Sequence, residues 1–260
     1  MTYFNKNKEL KRGYNAYIDE STNYMGTLMN VGLLVMEDGD TYTYESADRE
    51  VAILLFEGKV TYEYAGKTVE ADRPNCFHHE AYCLLAPKGT KITLTAHSHS
   101  ELYMQDTLNE KDYEPVMYTP ETVQTQHAGS KGELMGAMER EIKTFFDYDN
   151  APFSNMVLGE VLNRPGKWSS YPPHHHPQAG GLFLPFRLSS RLRRRFCQRR
   201  CLQDRAERLR RHQPRLPLSG GGSRLRHVLR LGYPASGGRS LAEDPHRRQG
   251  ARVAVEARCQ

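Results

Sequence analysis

The amino-acid sequence predicts an all-β protein of the sandwich or barrel type, because its residues between Gly26 and Gln105 repeat one pattern. Short runs rich in β-branched and aromatic residues follow one another there: MNVGLLVME, TYTYES, AILLFEG, KVTYEYAG, CLLAPKG and TKITLTA. Turn signals such as DGD, and glycine at the end of several runs, separate them. Short strands of alternating polarity between such turns are typical of antiparallel sandwiches and barrels.

The run KVTYEYAG shows the alternation most clearly. In an extended chain Val60, Tyr62 and Tyr64 share one face, while Thr61 and Glu63 share the other. This pattern predicts a strand that is buried on one side.

A second β-rich region begins with NMVLGEVLN, after a more polar stretch over residues 106–150. Its order resembles the start of the first region, which suggests two copies of one barrel plan. We therefore predict a first barrel over residues 1–125. The linker and the start of a second, metal-binding barrel follow over 126–178, and an irregular tail occupies 179–260.

The charge of the chain changes at this last boundary. Residues 1–178 carry 11 Lys and 5 Arg against 26 Asp and Glu, a net charge of −10. Residues 179–260 carry 20 Arg and no Lys against 5 Asp and Glu, a net charge of +15. An arginine-rich extension is one interpretation of the tail, and it would favour nucleic acid or another acidic surface.

The tail also contains no Ile, Met, Thr, Asn or Lys, the five amino acids whose codons all begin with A. A missing codon class is expected from a shifted reading frame rather than from selection on a fold. In the neighbouring frame the codons for AGGLFLPFR can spell PEVYFYRFD, which is typical of a β-strand. We therefore predict a frameshift near Ala179 that truncates the second barrel with a non-native, arginine-rich tail.

The motif PGKWSSYPPHHHPQ carries the candidate metal ligands. In a strand His174 and His176 point to one face and His175 to the other, so the first and third imidazoles can bind one cation. Neutral imidazole suits divalent zinc, iron, manganese or nickel. A polar strand end without a metal is the alternative interpretation of the same residues.

The stretch FFDYDNAPFSNMVLGEVLNRPGKWSSYPPHHHPQ, residues 145–178, resembles the bacterial 5-deoxy-glucuronate isomerases of myo-inositol catabolism. These are bicupin proteins, built from two β-barrel cupin domains, and are related to 5-keto-4-deoxyuronate isomerase. The resemblance implies the metal pattern G-x5-H-x-H-x3-4-E with a distant fourth His, and it places the first two ligands at His174 and His176. The Glu of the pattern falls at Gly180, where the neighbouring frame offers Glu.

The implied function is a metal-dependent aldose–ketose isomerisation of 5-deoxy-D-glucuronate to 5-dehydro-2-deoxy-D-gluconate, impaired in this chain by its incomplete ligand set. The expected cofactor is a divalent ion (Zn, Mn or Fe), and the expected partner is a small sugar acid. A homo-oligomer is left open, and neither a membrane nor nucleic acid is expected. Alternatives are an isomerase of another deoxy-uronate, or a β-barrel binding module whose basic tail binds nucleic acid.

Two further features set expectations for location and for a second site. The chain has no run of about 18 apolar residues, and MTYFNKNKEL lacks the apolar segment of a signal peptide, so a cytoplasmic location is expected. In AHSHSE, a strand would place His97, His99 and Glu101 on one face, where they could bind a second metal. We favour the polar end of a strand without a metal for this stretch.

Overall fold

A computed structural model describes residues 10–21, 28–77, 81–163 and 167, together with the backbone of strands at 2–5, 180–188, 191–199, 225–230 and 257–258. The secondary structure of these residues is nearly all β, with one short 3-10 helix at Glu133–Gly136. The strands are β1 (Thr2–Asn5), β2 (Gly13–Ile18), β3 (Asn30–Met36), β4 (Thr41–Tyr44), β5 (Arg49–Tyr64), β6 (Lys67–Arg73), β7 (Cys83–Ala86), β8 (Ile92–Ala96), β9 (Ser100–Leu108), β10 (Val116–Tyr118), β11 (Gln124–Ala128), β12 (Arg140–Phe146), β13 (Leu158–Asn163), β14 (Gly180–Leu188), β15 (Arg191–Arg199), β16 (Leu225–Arg230) and β17 (Ala257–Arg258).

The described part of the chain contains no helix with the length and hydrophobicity that a membrane crossing requires. The chain divides into two compact units. One consists of Lys8–Gln124 and Phe145–Met156, and the other of Met1–Asn7, Thr125–Thr144 and Val157–Gln260. Each unit has its own antiparallel sheet.

The unit that contains Lys8–Gln124 is organised around β5. Its sheet runs in the order β10-β7-β5-β9-β3-β2, with β6 and β8 also paired to β5 and with β4 paired to β8. The first part of β5 pairs with β7 and β9, and the part after Gly58 pairs with β6 and β8. One long strand therefore belongs to both layers of the β-structure and joins them.

The hydrophobic core of this unit takes alternate residues from the strands. The predicted face of KVTYEYAG is confirmed, because Val60, Tyr62 and Tyr64 all belong to the core. Earlier in β5 the core residues are the odd-numbered Val51, Ile53 and Leu55. The alternation of side chains thus shifts by one residue between Leu55 and Val60.

A β-bulge explains this shift. The register of β5 against β9 changes between Leu55 and Glu57, and the next residue, Gly58, has a φ of 111° that side-chain-bearing residues rarely adopt. A Cβ atom on Gly58 would lie 2.1 Å from Ser100 Oγ. The sequence predicts two strands here, AILLFEG and KVTYEYAG, whereas the structure has one strand bent at this glycine.

A buried carboxylate fastens the segment Phe145–Met156 to the same unit. Glu50 is fully buried, and burial raises the pKa of its carboxyl group. Four donors hydrogen-bond to it, at distances between 2.7 and 3.2 Å: the side chains of Asn109, Tyr113 and Ser154 and the backbone N–H of Asn155. These bonds offset the cost of burying the charge.

The second unit has a sheet in the order β1-β15-β14-β16-β13-β12-β11, with β17 paired to β16. Its composition differs from the predicted linear division at residue 125, since Met1–Asn7 belongs to this unit and Phe145–Met156 does not. The expectation of an irregular tail also differs from the structure, because four strands (β14 to β17) lie in residues 180–258. Regular backbone pairing needs no particular side chains, which is why composition alone did not indicate these strands.

Candidate functional site

The predicted metal ligands His174 and His176 lie outside the described residues, so their assignment stays a prediction. The described strands on either side of them are β13 and β14, and both pair with β16. Gly180, the position at which the resemblance in the sequence predicts the Glu ligand, is the first residue of β14. A glycine has no side-chain donor, so this position cannot supply the carboxylate ligand.

A cavity of about 230 Å³ opens in the unit that contains Lys8–Gln124. Its polar centre is Asp106, which accepts a 2.8 Å hydrogen bond from Asn30 Nδ2 and another from Arg49 Nε. Burial raises the pKa of Asp106, and the bonds to Arg49 and Asn30 oppose that shift. The remaining lining residues are mainly aromatic and aliphatic, and comprise Tyr14, Ala16, Ile18, Asp19, Tyr42, Tyr44 and Met104.

The guanidinium of Arg49 is already engaged beside this cavity. It donates to Asp106 and, over 2.6 Å, to Glu20 Oε2. A sugar acid needs a cation for its carboxylate, and Arg49 is held by two carboxylates instead. The chemistry of this cavity therefore favours apolar and hydroxyl groups over an anion.

The histidines of AHSHSE do not lie on one strand. Strand β8 ends at Ala96 and β9 begins at Ser100, so both histidines lie in the bend between these strands. The prediction that His97, His99 and Glu101 share one face of a strand is therefore wrong. His97 Nε2 lies 2.7 Å from Thr61 Oγ1. His99 instead lies beside Glu101, with 3.8 Å between its Nε2 and Glu101 Oε1.

A third carboxylate, which the sequence pattern did not indicate, completes this group. Ligand atoms of Glu57, His99 and Glu101 all lie within 4.8 Å of one another, and such a group could hold a metal ion. Glu57 reaches it through the pairing of β5 with β9, where it stands opposite Glu101. In the sequence, the feature that could have indicated Glu57 is the Glu-Gly pair at the end of AILLFEG, because this pair marks the bulge.

Comparison with known proteins places the chain in a family. The sequence model of the KduI/IolB family matches residues 3–181. The chain belongs to the KduI/IolB family. The match covers all the strands of the sheet around β5 (β2 to β10) and part of the other sheet. It includes the GKWSSYPPHHH motif and ends at the second residue of β14.

Two curated relatives carry the name 5-deoxy-glucuronate isomerase, one from Bacillus subtilis strain 168 and one from Bacillus subtilis subsp. natto. Each is 23% identical over 155 residues, which is 58% of this chain and 55% of the relative. This chain therefore matches only about half the length of the curated relatives.

Solved structures show the same fold. An IolB-like protein from Salmonella typhimurium LT2 has a TM-score of 0.63 at 15% identity, over 86% of this chain and 90% of its own. A putative glyoxylate-induced protein from Pseudomonas aeruginosa has a TM-score of 0.56 at 14% identity, over 89% and 83%. The all-β, cupin-like fold predicted from the sequence is confirmed, while the truncation of the second barrel stays a prediction.

Proposed function

We propose that the chain represents a metal-dependent aldose–ketose isomerase that converts 5-deoxy-D-glucuronate to 5-dehydro-2-deoxy-D-gluconate in myo-inositol catabolism. The family match over residues 3–181, which includes GKWSSYPPHHH, carries the proposal. The relatives named 5-deoxy-glucuronate isomerase support the choice of substrate, although they are matched over only about half their length.

His174 and His176 would hold a divalent cation, whose chemistry when bound is to polarise a substrate oxygen. Two imidazoles are suitable ligands for zinc, manganese or iron, and a complete site needs further ligands. The donor set of this chain does not complete the site, because Gly180 stands at the position of the carboxylate ligand. We therefore assign no catalytic step to a metal in this chain.

The incomplete ligand set follows from the proposed frameshift near Ala179. Two independent observations support it: the family match ends at residue 181, and residues 179–260 contain no Ile, Met, Thr, Asn or Lys. Codon degeneracy allows the neighbouring frame to place a Glu at the position of Gly180. The enzyme of the intact frame is therefore the proposed isomerase, and this chain is an impaired form of it.

Another deoxy-uronate is the second candidate substrate, because the matched family also includes the KduI type. The expected partner in either case is a small sugar acid. Nucleic-acid binding through the 20 arginines of the tail would depend strongly on salt, because it rests on neutralised phosphates. A filter-binding assay at low salt that detects no retention of DNA or RNA would exclude that function.

The test uses a gene from which one base near codon 179 has been deleted. Its product should isomerise 5-deoxy-D-glucuronate with a higher kcat/KM than 5-keto-4-deoxyuronate. His176→Ala should reduce turnover by about 100-fold or more, and His97→Ala serves as the matched histidine control with unchanged turnover. The proposal would be contradicted if the restored protein isomerised neither of the two sugar acids. Full activity in His176→Ala would contradict it as well.

A further inference from the structure

We propose that Glu57, His99 and Glu101 form a divalent-cation site in the unit that contains Lys8–Gln124. The proposed site uses neither of the predicted ligands His174 and His176, and the proposal does not rest on the isomerase function. It rests on the position of three donors, on the orientation of His99, and on the bulge that brings the two carboxylates together. Each of these is a feature of the described residues.

The orientation of His99 is the first argument. Its Nδ1 lies 2.9 Å from Glu37 Oε1, and a carboxylate oxygen can only accept, so Nδ1 donates this hydrogen bond. The other ring nitrogen, Nε2, lies on the side of Glu101. In protein metal sites, the ring nitrogen of a ligating histidine that faces away from the metal usually donates to a carboxylate or carbonyl, which fixes the orientation of the ring.

The opposed carboxylates are the second argument. Glu57 and Glu101 stand directly across from each other on β5 and β9, and like charges in such a pair repel. The side chain of Glu101 is only 6% exposed, so water screens its charge poorly. A cation between the two carboxylates converts this repulsion into coordination.

The backbone around the site is built for close approach. Gly58 has its positive φ immediately after Glu57, and a Cβ there would lie 2.6 Å from the carbonyl oxygen of His99. Only glycine lets β5 approach the 97–99 bend so closely. The bulge is what sets Glu57 opposite Glu101, and bulges commonly re-aim side chains beside functional sites.

The site is open to solvent on one side. Glu57 and His99 line a cleft of about 380 Å³ together with Lys59, Asp72, Pro74 and Ser98. The ammonium of Lys59 is paired with Asp72 at 2.8 Å. A cation bound by one nitrogen and two carboxylate oxygens would complete its coordination with water from this cleft, as in three-ligand zinc sites.

The donor set selects the class of cation. One imidazole and two carboxylates suit zinc, manganese or iron, and they do not offer the thiolates that soft ions prefer. The competing interpretation is that protonated His99 is itself the cation between Glu37 and Glu101. Zinc binding and the effect of each substitution distinguish these two interpretations.

The experiment uses the full chain with His174→Ala and His176→Ala, so that the other predicted site contributes nothing. Titration calorimetry with Zn²⁺ should detect one equivalent of bound ion. Adding His99→Ala should weaken binding at least about 100-fold, and Glu57→Gln at least about 10-fold. Glu37→Gln should weaken it about 10-fold through the lost orientation of the ring. His97→Ala is the matched control and should leave the affinity unchanged.

A second readout covers variants that fail to fold. Cobalt(II) bound to the parent chain should give visible absorption bands that His99→Gln abolishes while circular dichroism of the sheet stays the same. No saturable zinc binding in the parent chain would overturn the proposal and leave the imidazolium ion pair as the explanation. Equal zinc affinity in the parent and in His99→Ala would overturn it as well.

Discussion

Strands β5 and β15 show how residues 1–178 and the tail differ. β5 supplies apolar residues to the core in a strict alternation on either side of one bulge, from Val51 to Leu55 and again from Val60 to Tyr64. The sequence of β15, RLRRRFCQR, has arginine at both odd and even positions. Both segments form strands, but only the first sequence alternates as a half-buried strand does. A segment can therefore pair as a strand through its backbone without having the alternating apolar residues that a hydrophobic core requires.

The limit of the family match falls at the same boundary. The match covers residues 3–181, and beyond it the net charge and the set of amino acids both change. A natural barrel strand would keep apolar residues on the face that meets the core. This difference supports the proposed frameshift near Ala179, in which residues after about 178 would not have been selected for a fold.

Proteolysis gives the largest expected difference between the two regions. Trypsin cuts after arginine and lysine, and the tail has 20 arginines and few apolar runs to protect them. Limited digestion of the full chain should remove the tail and leave a fragment that ends near residue 180, as measured by mass spectrometry. If the proposed frameshift truncates the second barrel, the chain should also be poorly soluble, because an incomplete barrel exposes apolar surface. A soluble, trypsin-resistant full-length chain would show that the tail folds.

Core substitutions compare the two strands directly. Leu55→Ala should lower the free energy of unfolding by about 2–5 kcal/mol, because Leu55 is fully buried and its loss leaves a cavity. Leu192→Ala, in β15, should change it by less than about 0.5 kcal/mol if the proposed frameshift leaves the tail without a selected core. Urea denaturation of both variants measures the contrast. Equal losses would mean that β15 contributes to a packed core.

Substitution of Glu50 should have a smaller effect on the free energy of unfolding, and this effect should depend on pH. Its folded-state pKa lies above the ordinary 4.5 because burial disfavours the charge, so ionisation costs stability as the pH rises through that folded pKa. Glu50→Gln removes this cost. The free energy of unfolding of the wild type should therefore fall relative to that of Glu50→Gln as the pH rises from about 4 toward 8. Urea denaturation across this pH range measures the difference, and a constant or rising difference would contradict the assigned environment.

Lys59 gives the smallest effect. Its ion pair with Asp72 is exposed, with side chains 60% and 54% accessible to solvent, and solvent screens such pairs. The thermal unfolding midpoint of Lys59→Met should equal that of the unsubstituted chain within experimental error, at low and at high salt. A clear, salt-sensitive drop would show that the pair contributes more than its exposure indicates.

Local patterns predicted the strands and one of their faces well. Period-two alternation located the strand KVTYEYAG and its buried face, since that pattern depends only on neighbouring residues. Contacts between distant residues could not be predicted in the same way. The pairing of Glu57 with Glu101 depends on register across 44 positions of sequence, and the attachment of Phe145–Met156 depends on the donors around Glu50.

The most direct test of the proposed frameshift and the proposed isomerase activity compares two chains, the present one and the one obtained after deleting one base near codon 179. Bound metal and turnover of 5-deoxy-D-glucuronate are measured in both, with His99→Ala in each so that the second cation site does not add to the metal content. The restored chain should hold one equivalent of divalent metal at His174 and His176 and turn over substrate. The present chain should hold far less metal and be slower by orders of magnitude, because it lacks the carboxylate ligand. Equal metal content and equal turnover in the two chains would contradict the assignment.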